Sequence, residues 1–157
     1  MTHRRIASAV GLATLVSLAF SVAAWSAPVG ITTASKAPFG SYLTDSSGRT
    51  VYMFTADKSG ASSCTGPCTK PWPPVLTTGA PTAGSGVQAS ALGTMKRGSD
   101  EQVTYDGRPL YYFIRDKSAG STAGEGITHF GGSWYVLSPS GKGILPTGKE
   151  MAAGTTW

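Results

Sequence analysis

The feature that most constrains this chain is an internal duplication. Thr44–Ser62 reads TDSSGRTVYMFTADKSGAS, and Val103–Ser121 reads VTYDGRPLYYFIRDKSAGS; the two align without a gap. Gly48-Arg49 falls on Gly107-Arg108, Tyr52 on Tyr111, Phe54 on Phe113, and Asp57-Lys58-Ser59 on Asp116-Lys117-Ser118. Each half then places a tryptophan before a short apolar run: Trp72 before Pro-Pro-Val-Leu, and Trp134 before Tyr-Val-Leu. Two copies are too few for a solenoid, whose units need neighbours on both sides. They suit one pseudo-symmetric domain whose halves share a core, and 157 residues allow little more than that.

Each copy reads as a β-hairpin. In the second, Gln102–Tyr105 and Arg108–Ile114 flank Asp106-Gly107, a pair that tolerates the positive φ a two-residue hairpin turn demands. In the first, Tyr42–Thr44 and Arg49–Thr55 flank a longer loop, Asp45–Gly48. Leu92–Arg97 and Trp134–Leu137 read as further strands. The fold class expected is therefore all-β: two pseudo-repeated hairpin units packed as a small sandwich or barrel-like domain, with a few short helical turns. Alternation puts Tyr52 and Phe54 on one face and Val51 and Met53 on the other. Tyr111 and Phe113 likewise oppose Leu110, Tyr112 and Ile114. Strands apolar on both faces are buried twice over or lend one face to a partner. Burial would oblige the tyrosine hydroxyls to find acceptors, and Asp57 and Asp116 are the candidates.

The N-terminus predicts export. A cationic start through Arg4 and Arg5 precedes an apolar run from Ile6 to Ala24, and small residues follow around Ala24, Ser26 and Ala27. Residues 1–26 are read as a Sec-type signal peptide and 27–38 as a flexible segment. The β domain is expected over 39–146, with repeat one about 40–76, a flexible connector rich in Gly, Ala, Pro and Thr at 77–86, and repeat two about 87–146; 147–157 reads as a loosely ordered tail. The formal charge of +5 loses two with Arg4 and Arg5, leaving +3 spread over single residues. That pattern excludes a nucleic-acid footprint. No stretch beyond the leader is apolar enough to span a membrane.

Export puts Cys64 and Cys68 where disulfides persist. They enclose Thr65-Gly66-Pro67, a turn sequence, and joining them would stabilise by about 2 kcal/mol. The alternative is a periplasmic metal or redox role, in which Cys64, Cys68, His129 and Met53 or Met95 hold copper. Asp57 and Asp116 admit two readings: carboxylates that fix a turn after a strand, or a catalytic pair of the kind that cleaves glycosides. No nucleophile elbow, metal-protease motif or phosphate loop is present.

Tyr52-Met53-Phe54-Thr55-Ala56-Asp57 and Tyr111-Tyr112-Phe113-Ile114-Arg115-Asp116 share the pattern Tyr-x-aromatic-x-x-Asp. With Cys64–Cys68, Trp72-Pro73-Pro74 and Val103–Phe113, they make the chain from about Gly40 to Gly141 resemble the bacterial secreted repeats of unknown function, also described as lipoproteins with a Y-x-(F/W/Y)-x-x-D motif. The resemblance implies an exported protein of no established activity, with Tyr52, Phe54, Asp57, Tyr111, Phe113 and Asp116 as the family motif. Many relatives carry lipoprotein-like signals; this chain has no cysteine at the cleavage region, so a soluble periplasmic or secreted form is expected. The function expected is a non-enzymatic extracytoplasmic module that binds a small ligand, an envelope component or a protein partner, with no catalytic residue and no cofactor.

Overall fold

The computed structural model describes residues 27–152; the expected signal peptide, residues 1–26, and the end of the expected tail, 153–157, lie outside them. Among the described residues there are ten strands: β1 (Gly30–Lys36), β2 (Gly40–Asp45), β3 (Tyr52–Phe54), β4 (Leu76–Thr77), β5 (Thr82–Ala83), β6 (Leu92–Arg97), β7 (Asp100–Tyr105), β8 (Arg108–Pro109), β9 (Thr128–His129) and β10 (Gly132–Val136). Only two short 3₁₀ turns interrupt them, at Gly66–Thr69 and Ala89–Ala91. The strands form several small sheets, ordered β2-β1-β5, β3-β10-β9 and β4-β7-β6, with β8 also on β7. The all-β expectation therefore holds.

The duplication is realised as an exchange. Tyr52 N–H donates to the Tyr111 carbonyl at 2.8 Å, and Tyr111 N–H returns the bond to Tyr52 at 3.0 Å. Equivalent residues paired reciprocally and antiparallel define a local two-fold axis between them. Around that axis each motif strand lies beside the tryptophan segment of the other repeat. β3 pairs with β10, Phe54 opposite Trp134. In the other half, Tyr112 and Ile114 donate to the carbonyls of Pro73 (2.8 Å) and Pro71 (3.0 Å).

The second motif strand is shorter than its sequence suggests. The expected run Arg108–Ile114 forms a ladder only over Arg108–Pro109, then single bridges from Tyr111 to Tyr52 and to Pro74. Its partner segment explains this. Pro71 and Pro73 accept hydrogen bonds but have no N–H to give back, so past the bond from Val75 N–H to the Leu110 carbonyl (2.9 Å) the pairing is one-sided.

Three expectations of loose structure are corrected. Gly30–Lys36 is not flexible: it is the middle strand of its sheet, paired along its length with β2 and in parallel with β5. Ile31 anchors it in the interior. The connector 77–86 is tied down, since Thr82–Ala83 is β5 and Gly84 N–H donates to the Ile31 carbonyl at 2.6 Å. The tail folds back through Met151, which is buried and donates its N–H to the Gly143 carbonyl at 2.8 Å. In each case backbone pairing orders a segment whose few apolar side chains gave little warning.

The core divides along the alternation read from the sequence. Tyr52, Phe54, Tyr111, Phe113, Trp72 and Trp134 share one cluster with both cysteines. Val51, Met53, Leu110, Val103 and Leu137 share the second. The motif strands are thus buried on both faces. Tyr52, Phe54 and Tyr111 are each at most 1% exposed, so they offer no partner-binding face, and of the motif rings only Phe113, at 5%, reaches the surface.

Candidate functional site

The family motif is a buried polar lock between repeats. Tyr52 Oη donates to Asp116 Oδ2 and Tyr111 Oη to Asp57 Oδ2, both at 2.6 Å, so each tyrosine binds the aspartate of the other copy. Each carboxylate is also held by its own following loop. Asp116 Oδ1 accepts from Ser121 Oγ (3.0 Å) and Ala123 N–H (2.8 Å), and Asp57 Oδ1 accepts from Ser63 N–H (2.6 Å). Burial pushes the Asp57 carboxyl above its ordinary range, opposed by the Tyr111 and Ser63 hydrogen bonds. It pushes both tyrosine hydroxyls well above theirs, reinforced by the adjoining carboxylates. The hydroxyls therefore stay protonated and remain donors. Asp57 and Asp116 sit in separate buried nests with their oxygens engaged, which is the turn-fixing role and not a pair facing a common open cleft.

Cys64 and Cys68 form a disulfide, both buried in the aromatic cluster. Its loop is pinned by Arg97, which donates to the Cys64 carbonyl, to Ser62 Oγ (2.8 Å) and to Gln102 Oε1 (2.7 Å). The copper set is not assembled. Both sulfurs are spent on each other, Met53 lies in the second core cluster, and His129 is exposed on β9.

At the centre four rings stack face to face: Phe54 on Trp134 (4.1 Å between centroids), Trp134 on Trp72 (3.9 Å), and Trp72 on Phe113 (4.3 Å). The order respects the two-fold relation, tryptophan on tryptophan inside and a motif phenylalanine at each end. The two ends are treated differently. Beyond Phe54 the wall is Thr55-Ala56, small residues against which Gly132 packs so closely that a Cβ there would lie 2.7 Å from Phe54 Cε2 and 2.9 Å from Ala56 N. Beyond Phe113 the equivalent residues are Ile114-Arg115, both exposed.

An open cavity of about 350 Å³ lies at this second end, lined by Pro71, Trp72, Phe113, Ile114, Arg115, Ile127, His129 and Phe130. Its outer wall is the tip of the β9–β10 hairpin. Phe130 there has φ +58° and Gly131 φ +85°, the two positive values of a tight two-residue turn. A bulky side chain in that region is strained, and Phe130 is also 39% exposed. His129 rests edge-on against it, ring centroids 4.0 Å apart. Of the residues singled out from sequence, the cavity includes Trp72, Phe113 and His129, with Ile114 named only for its strand face; Arg115 and Phe130 were not singled out as site residues. Comparing the aligned copies would have found Ile114 and Arg115, since Thr55-Ala56 and Ile114-Arg115 interrupt an otherwise matched stretch. An aromatic ahead of Gly131-Gly132 marked Phe130.

Two residues before Ile127 of the cavity lining, Glu125 is a partly buried acid. Its Oε2 accepts from Val136 N–H at 2.7 Å, while its buried Oε1 has no hydrogen-bond partner among the described residues. Burial pushes its carboxyl up to about 7.

A family model described as a secreted repeat of unknown function matches the chain twice, over residues 33–76 and 93–138. No curated protein and no solved structure matches it.

Proposed function

Because the chain belongs to the family of secreted repeats of unknown function, we propose that it is a non-enzymatic binding module working outside the cytoplasm, in the periplasm or as a secreted soluble protein, whose ligand site is the cavity between Phe113 and the β9–β10 tip. One observation carries the reading. A duplicated scaffold builds two equivalent ends, seals one with Thr55, Ala56 and Gly132, and leaves the other open with Ile114, Arg115 and a strained Phe130. Strain and exposed apolar surface both cost stability, and they coincide at this one place. The lining sets rings and aliphatic chains around a space of ligand size, chemistry suited to holding a molecule. The motif residues support the site from behind by fixing the two repeats against each other.

Titration of the purified protein with phenylnaphthylamine, a neutral dye that brightens in apolar surroundings, tests this. The expected result is one saturable site, weakened at least tenfold in Phe130→Asn. Binding that never saturates, or that is equal in the variant, would overturn the assignment of the site.

A further inference from the structure

The lining of this cavity has a charge of one sign. Arg115 is exposed at its rim, His129 stands nearby, and no carboxylate lines it. The adjacent Asp116 is turned inward and committed to Tyr52, Ser121 and Ala123. Arg115 makes no ion pair among the described residues, and its counterpart in the first repeat, at the sealed end, is Ala56. A lone surface arginine is unremarkable. Here Arg115 follows Ile114 in the lining of an open cavity whose wall is the Trp72–Phe113 end of a ring stack.

Resting on the binding-module reading and naming its ligand class, we propose that the cavity takes a small, flat aromatic anion carrying a carboxylate or sulfonate. Its ring lies against the Trp72–Phe113 wall between Ile114 and Phe130, and its anionic group meets the Arg115 guanidinium. Aromatic faces favour a planar ring in offset or edge contact. A guanidinium presents a flat fork of donors that suits a carboxylate or sulfonate better than a point charge would. About 350 Å³ is near the lower end of small-molecule sites, room for two or three aromatic rings and not for a long chain.

Two dyes of the same skeleton test this: anilinonaphthalene sulfonate and its neutral parent, phenylnaphthylamine. The sulfonate is expected to bind the folded protein at least tenfold more tightly. Arg115→Gln should bring the two affinities together, and Phe130→Asn should weaken both. Lys117→Gln, an exposed cation outside the lining, should leave the preference intact. Equal binding of the two dyes, or a preference that survives Arg115→Gln, overturns the anion assignment while the cavity still stands. Failure of either dye to saturate overturns both readings together.

Discussion

Tyr52 and Tyr111 each spend their hydroxyl on the aspartate of the opposite repeat, and this crossing can be measured. A buried hydrogen bond to a carboxylate contributes about 1.5–3 kcal/mol, so Tyr52→Phe should lose stability on that scale. In a double-mutant cycle, Tyr52→Phe with Asp116→Asn should be strongly non-additive. Tyr52→Phe with Asp57→Asn should add to within about 0.5 kcal/mol. Denaturant melts of the single and double variants decide it, and coupling within a repeat would refute the exchange. Phe130 gives a second prediction. Asn-Gly is the favoured pair for a turn with two positive φ values, so Phe130→Asn should leave stability unchanged or raise it by about 1 kcal/mol. Dye binding should fall in the same protein. Lower thermal stability with dye binding retained would show that Phe130 serves packing. At this scale the motif was legible as aromatic and acidic positions with matching chemistry. Which tyrosine meets which aspartate was not, because a repeat pattern is identical whether its copies pair within themselves or across.

The elements show why crossing matters. β3 takes its neighbour, β10, from the second repeat, and the Tyr112–Ile114 backbone donates to Pro73 and Pro71 of the first. The β3-β10-β9 and β4-β7-β6 sheets each draw strands from both halves, and neither half has both tryptophans of the stack. Separate chains of residues 27–86 and 87–152 should therefore lack the near-ultraviolet circular dichroism of packed rings, while the intact protein unfolds in a single transition by dichroism and tryptophan fluorescence alike. Native dichroism from either half alone would contradict this. β1 belongs to the same cooperative unit: Ile31→Ala should cost about 2–5 kcal/mol, the range for truncating a fully buried aliphatic chain. The hairpin at Asp106-Gly107 was readable because its turn chemistry is local. β1, β5 and the Met151 return were not, because their order comes from backbone bonds rather than from an apolar side-chain pattern. The open cavity was hidden for a related reason. It arises from a difference between the copies, whereas repeat reasoning weighs what they share.

For the molecule as a whole, one acid raised by burial makes stability depend on pH. Glu125 is held up to about 7 by burial, against an ordinary carboxyl near 4.5 in the unfolded chain. Between those values the unfolded chain has released the proton and the folded one retains it. The unfolded state then binds fewer protons, so stability falls as pH rises from about 4.5 to about 7 and levels off above. Below 4.5 both states are protonated and the contribution is complete. Asp57, also raised by burial, adds a smaller slope of the same sign just above its ordinary range. Glu101 and Glu150 are lowered and act oppositely, but they sit at the surface beside Lys96 and Lys142, where solvent screens such pairs. Glu125 is itself partly open to solvent, so the fall should be on the order of 1–2 kcal/mol rather than the full value of so large a change. Denaturant midpoints measured from pH 4.5 to 8 should decline toward neutrality in the native protein and lie nearly flat in Glu125→Gln, which keeps an acceptor for Val136 without the charge. An unaltered slope in that variant would assign the pH response to other groups. The loop that carries Glu125 leads directly into Ile127 and His129 of the cavity wall. Its ionisation near neutral pH should therefore also loosen the wall, and phenylnaphthylamine, which has no charge of its own to respond, should bind more tightly at pH 5 than at pH 8 in the native protein and equally at both in Glu125→Gln.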